Sequence, residues 1–272
     1  MLKQRLATAA ILIPLVIWGI FKLPASGFAA LLAAFVLLGA WEWTRICEIR
    51  NTVLRLAYLF VFSLCLYVLW NNDDPRLLQL VLALSFSWWL CAIVLMLAYS
   101  SGHDYLRAHR LLKALIGFLL LLPAFVALLM LRNDPGFGPA YVLLLLLLIW
   151  SADSAAYFSG RKWGQRKLLP KVSPGKSWEG VAGALLATVL VCMVSAFYFE
   201  LPLVKFVILG IVVAAISIVG DLTESLFKRQ VNIKDSGVLL PGHGGVLDRI
   251  DSLTSAAPFF LGGMLLMTGQ AG

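Results

Sequence analysis

LVKFVILGIVVAAISIVG, residues 203–220, decides the fold class. It is eighteen residues long with one charge, Lys205, and a helix of that length and composition suits a bilayer's hydrocarbon core. Comparable runs recur along the whole chain. Their limits, 6–23, 27–46, 53–70, 77–99, 111–131, 139–159, 178–199, 203–220 and 252–270, predict nine spans and an all-α, polytopic integral membrane protein. With 61% hydrophobic and 13% charged residues, the chain has too few polar groups to cover a soluble core of that size. The N-terminal MLKQRLATAAILIPLVIWGIF has the basic start of a secretory signal. It runs directly into a second apolar segment and so reads as a retained helix.

The basic residues set the expected orientation. With the N-terminus in the cytoplasm, eighteen of the 22 Lys and Arg fall inside, and only Lys22, Arg76, Arg132 and Lys205 fall outside. The two long polar connections, 160–177 and 221–251, then face the cytoplasm together. Residues 1–272 read as one membrane domain. Helices within 1–135 serve as scaffold, dimer and lipid contacts, and 136–272 carries the catalytic helices and polar loops. The four cysteines stand singly in or beside apolar segments and read as packing residues.

Ionisable residues in or beside spans are costly, which makes them functional candidates. In VGDLTESLFKR, a helix would place Asp221, Glu224, Ser225 and Lys228 on one face, and paired carboxylates beside basic groups suit Mg²⁺. A structural ion-pair ladder explains the same spacing. In KDSGVLLPGHGGVLDRID, residues 234–251, Gly244 and Gly245 allow close backbone approach to an anion. Asp248 and Asp251 share a helix face, Arg249 offers a bidentate grip on phosphate, and His243 can hydrogen-bond phosphate or move a proton. In SPGKSWEG, Ser173 or Ser177 caps a helix with Glu179 in its first turn, while Lys176 can reach a nucleotide triphosphate. Asp153, among small residues inside a span, either pairs with a base or lines a polar cavity. Glu42, in AWEWTR, reads as an interfacial residue paired with Arg45, and His103 and His109 as solvated loop residues.

Phosphoryl or nucleotidyl transfer at the membrane surface is the reaction class that needs this set of groups. Another Mg²⁺-dependent lipid phosphotransferase or kinase is a second reading, and an ion-coupled transporter using Asp153, Asp221 and Glu224 is a third. A transporter of that kind often shows two related halves, whereas here the polar residues concentrate in one half and on one side.

The stretch Ser225–Asp251 resembles the signature of the phosphatidate cytidylyltransferases, or CDP-diacylglycerol synthases. The match runs through Ser225, Lys228, Arg229, Lys234, Asp235, Gly237, Pro241, His243, Gly244, Gly245, Asp248, Arg249 and Asp251. DSAAYFSGRKWG and KVSPGKSWEG also resemble that family, and the similarity extends over roughly the whole chain. The resemblance implies transfer of CMP from CTP to phosphatidic acid in phospholipid biosynthesis. It implies a multi-pass, dimeric enzyme of the cell inner membrane with Mg²⁺ held by Asp221 and Asp248, and room for a second metal ion. Lys228, Arg229, Lys234 and Arg249 are then expected to hold phosphates, His243 and the glycines to shape the pocket, and Lys176 and Ser177 to contact the nucleotide. Asp235 and Asp251 complete the expected catalytic set. Asp153, Ser173, Glu179, Glu224 and Ser225 complete the substrate-binding set.

Overall fold

A computed structural model describes residues 2–72, 74–136, 138–239 and 244–268, with side chains from residue 10 onward. The described residues form nine helices and one small hairpin: α1 Leu2–Lys22, α2 Ala25–Ile46, α3 Thr52–Trp70, α4 Pro75–Ser100, α5 Arg110–Asn133, α6 Gly138–Trp163, β1 Lys167–Leu169, β2 Ser173–Ser177, α7 Trp178–Tyr198, α8 Leu203–Gln230 and α9 Leu247–Thr268. Eight of the helices, α2 to α9, are long and apolar enough to cross a membrane. In α1 the described apolar stretch is Ala10–Lys22.

Local chemistry sets several boundaries. Asn51 caps α3 by accepting from the Val53 and Leu54 N–H groups, and Asp74 caps α4 with Pro75 in the first turn. Ser177 caps α7 by accepting from Gly180 N–H at 3.2 Å. Two-thirds of the apolar window of α5 is buried, against 11% for α3. Helix α5 is therefore the interior post of the bundle, and α3 is a peripheral helix with an exposed apolar face. Trp43 ties α2 to both α5 and α8. Its indole N–H donates to the Lys113 carbonyl at 2.8 Å, and its ring meets Phe227 edge-on at 5.1 Å. Small residues let backbones approach elsewhere: a side chain at Gly210 of α8 would run into Cys192 of α7.

Two expected limits move. The eighth span continues past Gly220 to Gln230, so the segment Asp221–Gln230 is helix and not connection. The ninth begins at Leu247, which puts Asp248, Arg249 and Asp251 on its first turns. Asp221, Glu224 and Lys228 are tolerated in the helix because each has an oppositely charged partner, as described below. Helix α8, 28 residues long, extends about 42 Å at 1.5 Å per residue. The connection 160–177 also holds an unexpected element, the antiparallel pair β1–β2. Val172, between the strands, is fully buried against Met96, Leu222 and Leu226. With Leu168 and Leu169 packed beside it, Val172 seats the hairpin on α4 and α8.

Candidate active site

The polar residues converge where α8 ends and α9 begins. Lys228, almost wholly buried, lies between two acids: its Nζ is 2.6 Å from Asp248 Oδ1 and 3.0 Å from Glu224 Oε1. Glu224 is one helical turn earlier on α8, which is the spacing that brings an i, i+4 pair together. Asp248 is held from other sides as well. Its Oδ2 accepts from Gly245 N–H at 2.8 Å and from Ser236 N–H at 3.0 Å. The start of α9, the connection 231–246 and the end of α8 thus meet on one carboxylate.

A third carboxylate completes the node from a distant part of the chain. Glu42, on α2, is buried and accepts from Ser236 Oγ (2.9 Å), Val246 N–H (3.0 Å) and Leu247 N–H (2.8 Å). The last two amides belong to the start of α9, where helix N–H groups lack internal partners and a negative charge is favoured. The expected interfacial pairing with Arg45 is therefore replaced by a buried cap on α9. Two glycines are required by these carboxylates. Gly244 has φ +87°, and a Cβ there would lie 2.7 Å from Asp248 Oδ2. A Cβ on Gly245 would collide with Ser236 Oγ and the Glu42 carboxylate. The anions these backbones approach in the structure are the protein's own.

Lys176, from β2, forms a second pair beside this node. Its Nζ is 2.8 Å from Asp221 Oδ2, and Ser225 Oγ donates to Asp221 Oδ1 at 3.3 Å. Both members are partly exposed, so this pair opens toward solvent while the Lys228 node is closed. Asp153 is exposed on α6, nearly three turns before its end, and Asp221, Lys176 and Arg249 are the charges that act on it. Asp251 accepts from its neighbour Ser252 N–H at 2.7 Å and is acted on by Asp221, Lys228 and Lys176.

The structure thus brings together Asp153, Lys176, Asp221, Glu224, Ser225, Lys228, Asp248 and Asp251, with Gly244 and Gly245 at the edge. Arg249, Lys234 and Asp235 are exposed around them. Arg229 is exposed too, but its Nε donates to Val172 O at 3.2 Å, which helps clamp the hairpin to α8. Glu179 is spent on the same hairpin, accepting from Arg166 N–H at 3.2 Å. Ser177 serves as a helix cap, and Ser173 is paired with Leu169 in the strand register. His243 lies outside the described residues.

Sequence reasoning missed Glu42 and Ser236. Glu42 carried a usable signal, a carboxylate in an apolar span between two tryptophans, which marks a functional suspect. Its partners lie about two hundred residues away, so nothing local names them. Ser236 carried no signal of its own.

The model of the cytidylyltransferase family matches residues 3–266. The chain belongs to that family. Family members of known name align along nearly the whole chain. A phosphatidate cytidylyltransferase of Haemophilus influenzae is 43% identical, covering 96% of this chain and 97% of its own length. One from Pseudomonas aeruginosa is 45% identical over 96% of each. One from Bacillus subtilis is 31% identical, over 95% and 96%. The family makes the chain an enzyme, a transferase with several apolar helices of membrane-spanning length.

Proposed function

We propose that this enzyme transfers CMP from CTP to phosphatidic acid, releasing pyrophosphate and leaving CDP-diacylglycerol, at the cytoplasmic surface of the inner membrane. The observation that carries the reading is the placement of two linked lysine–carboxylate groups, Lys176–Asp221 and Glu224–Lys228–Asp248, at one end of an otherwise apolar bundle. The full-length relatives named phosphatidate cytidylyltransferase supply the substrates. The cytoplasmic assignment rests on the basic asymmetry, since the same end of the bundle carries most of the Lys and Arg. A homodimer belongs to the same reading.

The residues fit a divalent cation of the Mg²⁺ type. Such an ion takes one or two carboxylates and completes its shell with water and substrate phosphate oxygens. No group of three or more His, Cys, Asp or Glu side chains poised for a metal occurs among the described residues. Asp221 is held only by partly exposed neighbours, and Glu224 Oε2 is a buried oxygen with no hydrogen-bond partner. Asp221 is the carboxylate open to the ion; Asp248, whose oxygens accept from Lys228, Gly245 and Ser236, would have to give up one of these partners to join it. When bound, Mg²⁺ neutralises the triphosphate and the departing pyrophosphate.

The chain's own residues orient the reactants. No protein nucleophile is needed, because the lipid phosphate is already an anion at neutral pH. Its oxygen attacks the α-phosphorus of CTP, the bond to the β-phosphate oxygen breaks, and pyrophosphate leaves with that electron pair. Arg249 and Lys234, exposed at the rim, grip phosphates, and Lys176 exchanges Asp221 for the nucleotide. Lys228 is closed between Glu224 and Asp248, which makes it a positioning residue in place of the expected phosphate grip. The experiment is direct. Purified protein in detergent, given radiolabelled CTP, phosphatidic acid and Mg²⁺, should yield a labelled lipid. No label across a range of lipid and metal concentrations would refute the proposal.

A further inference from the structure

A second basic site lies at the same end of the bundle, apart from the cluster just described. Two cavities of about 590 and 440 Å³ share Glu48, Ile49 and Arg50 in their walls and so adjoin, as a groove in two parts. The groove runs between the α2–α3 turn, the first turn of α5, and Val231 and Ile233, which follow α8. Four arginines line it, Arg45, Arg50, Arg55 and Arg110, against the single carboxylate of Glu48. None of the Lys176–Asp221 or Glu224–Lys228–Asp248 residues does.

The arginines differ in what they have left to offer. Arg55 is committed: its Nε donates to Thr44 Oγ1 at 2.7 Å and its guanidinium stacks on Trp41 at 3.8 Å. Arg110 has only a loose, exposed contact with Glu48 at 3.8 Å. Arg45 and Arg50 are exposed or nearly so, with their forks turned to no carboxylate among the described residues. Behind the wall is a further unmatched cation. Lys113 lies one turn after Arg110 and next to Ala114, which lines the groove. It is wholly buried, and its Nζ has no hydrogen-bond partner. A buried ammonium without a partner is expensive unless an anion lies near. Only Glu48 and Asp104 act on it as carboxylates. Helix α5 also starts here without a side-chain cap, so its N-terminal amides add to the positive field.

The groove is not purely polar. Leu54 and Leu111 line it and are 59% and 76% exposed. They continue onto the apolar surface of α3 and α5, which in a membrane faces lipid chains. An arginine floor with an apolar lip on the lipid side matches a phosphate carried on acyl chains. We propose that this groove binds the phosphate headgroup of an acidic membrane phospholipid on Arg45, Arg50 and Arg110, at a site separate from the transferase cluster. Glu48 competes with that phosphate for Arg110. Glu48 holds a left-handed backbone (φ 55°), so the turn keeps a carboxylate where glycine is the usual residue.

The test reads binding and not activity, so it stands or falls independently of the transferase reading. The full chain in detergent is titrated with phosphatidylglycerol or with phosphatidylcholine, and retained lipid is counted by native mass spectrometry. Phosphatidylglycerol is expected to be retained and phosphatidylcholine not. The double variant Arg50→Gln/Arg110→Gln is expected to weaken retention about tenfold or more. Glu48→Gln is expected to strengthen it, a direction that misfolding does not produce. Inorganic phosphate is the third arm. Failure to displace the lipid at tens of millimolar supports a lipid headgroup as the occupant, and full displacement supports a site for free phosphate. Equal retention by the wild type and the double variant, or equal retention of the two lipids, would overturn the proposal.

Discussion

Leu247 donates its backbone N–H to Glu42 at 2.8 Å across 205 residues of sequence. That bond, with its neighbours from Val246 and Ser236, fixes the start of α9 against α2. It makes the geometry around Asp248 depend on a helix from the opposite end of the chain.

The first expectation follows. Glu42→Ala leaves three buried donors without an acceptor, and each such group costs about 1–3 kcal/mol. Thermal unfolding in detergent, followed by tryptophan fluorescence, should show a clearly lowered Tm and little remaining transferase activity. Glu42→Gln should fall between, because it keeps one acceptor but turns an NH₂ toward donors. A wild-type Tm for the alanine variant would show that the cap is not needed.

Lys228 should behave as the counterion of a buried pair. Lys228→Met leaves Glu224 and Asp248 facing each other, with a loss of about 3–5 kcal/mol. Adding Glu224→Met to that background should recover part of the stability, since one of the two stranded charges is removed. A double variant less stable than Lys228→Met alone would contradict the ion-bridge account.

Two glycines separate shape from flexibility. Gly245→Ala drives a methyl group into Ser236 and Glu42 and should impair folding or activity severely. Gly175→Ala, in the middle of β2, meets nothing within 4 Å and should cost little. Expression, Tm and labelled-lipid yield measured side by side would check the contrast.

Lys176 is partly exposed, so its pair with Asp221 should contribute little to stability, about 0–1 kcal/mol. Lys176→Ala should therefore keep a near-normal Tm. The KM for CTP should rise severalfold if the ammonium moves from Asp221 to the nucleotide. A fallen Tm with unchanged KM would assign the lysine a structural role instead.

Much of this arrangement was legible in the sequence, for identifiable reasons. The spans were, because a bilayer demands long apolar runs whatever their partners. The shared face of Asp221, Glu224, Ser225 and Lys228 was, because helical spacing is a local property. What Lys228 touches was not, since Asp248 arrives from the next helix and takes the ammonium first. Arg229 shows the same limit: the bond from its Nε to the carbonyl of Val172, far away in sequence, has no local signal. The hairpin escaped because strands of three and five residues are too short for a periodic signal.

Helix α8 has one more consequence. At about 42 Å it exceeds a hydrocarbon layer of about 30 Å and matches the full thickness of a leaflet pair with headgroups included. Its last turns, with Glu224 and Lys228 on them, therefore reach past the apolar layer when the other end of the helix starts at its edge. Under the proposed function, a lipid reacting there need not be extracted from its leaflet. It would arrive by sideways diffusion, and only the water-soluble reactant would have to descend.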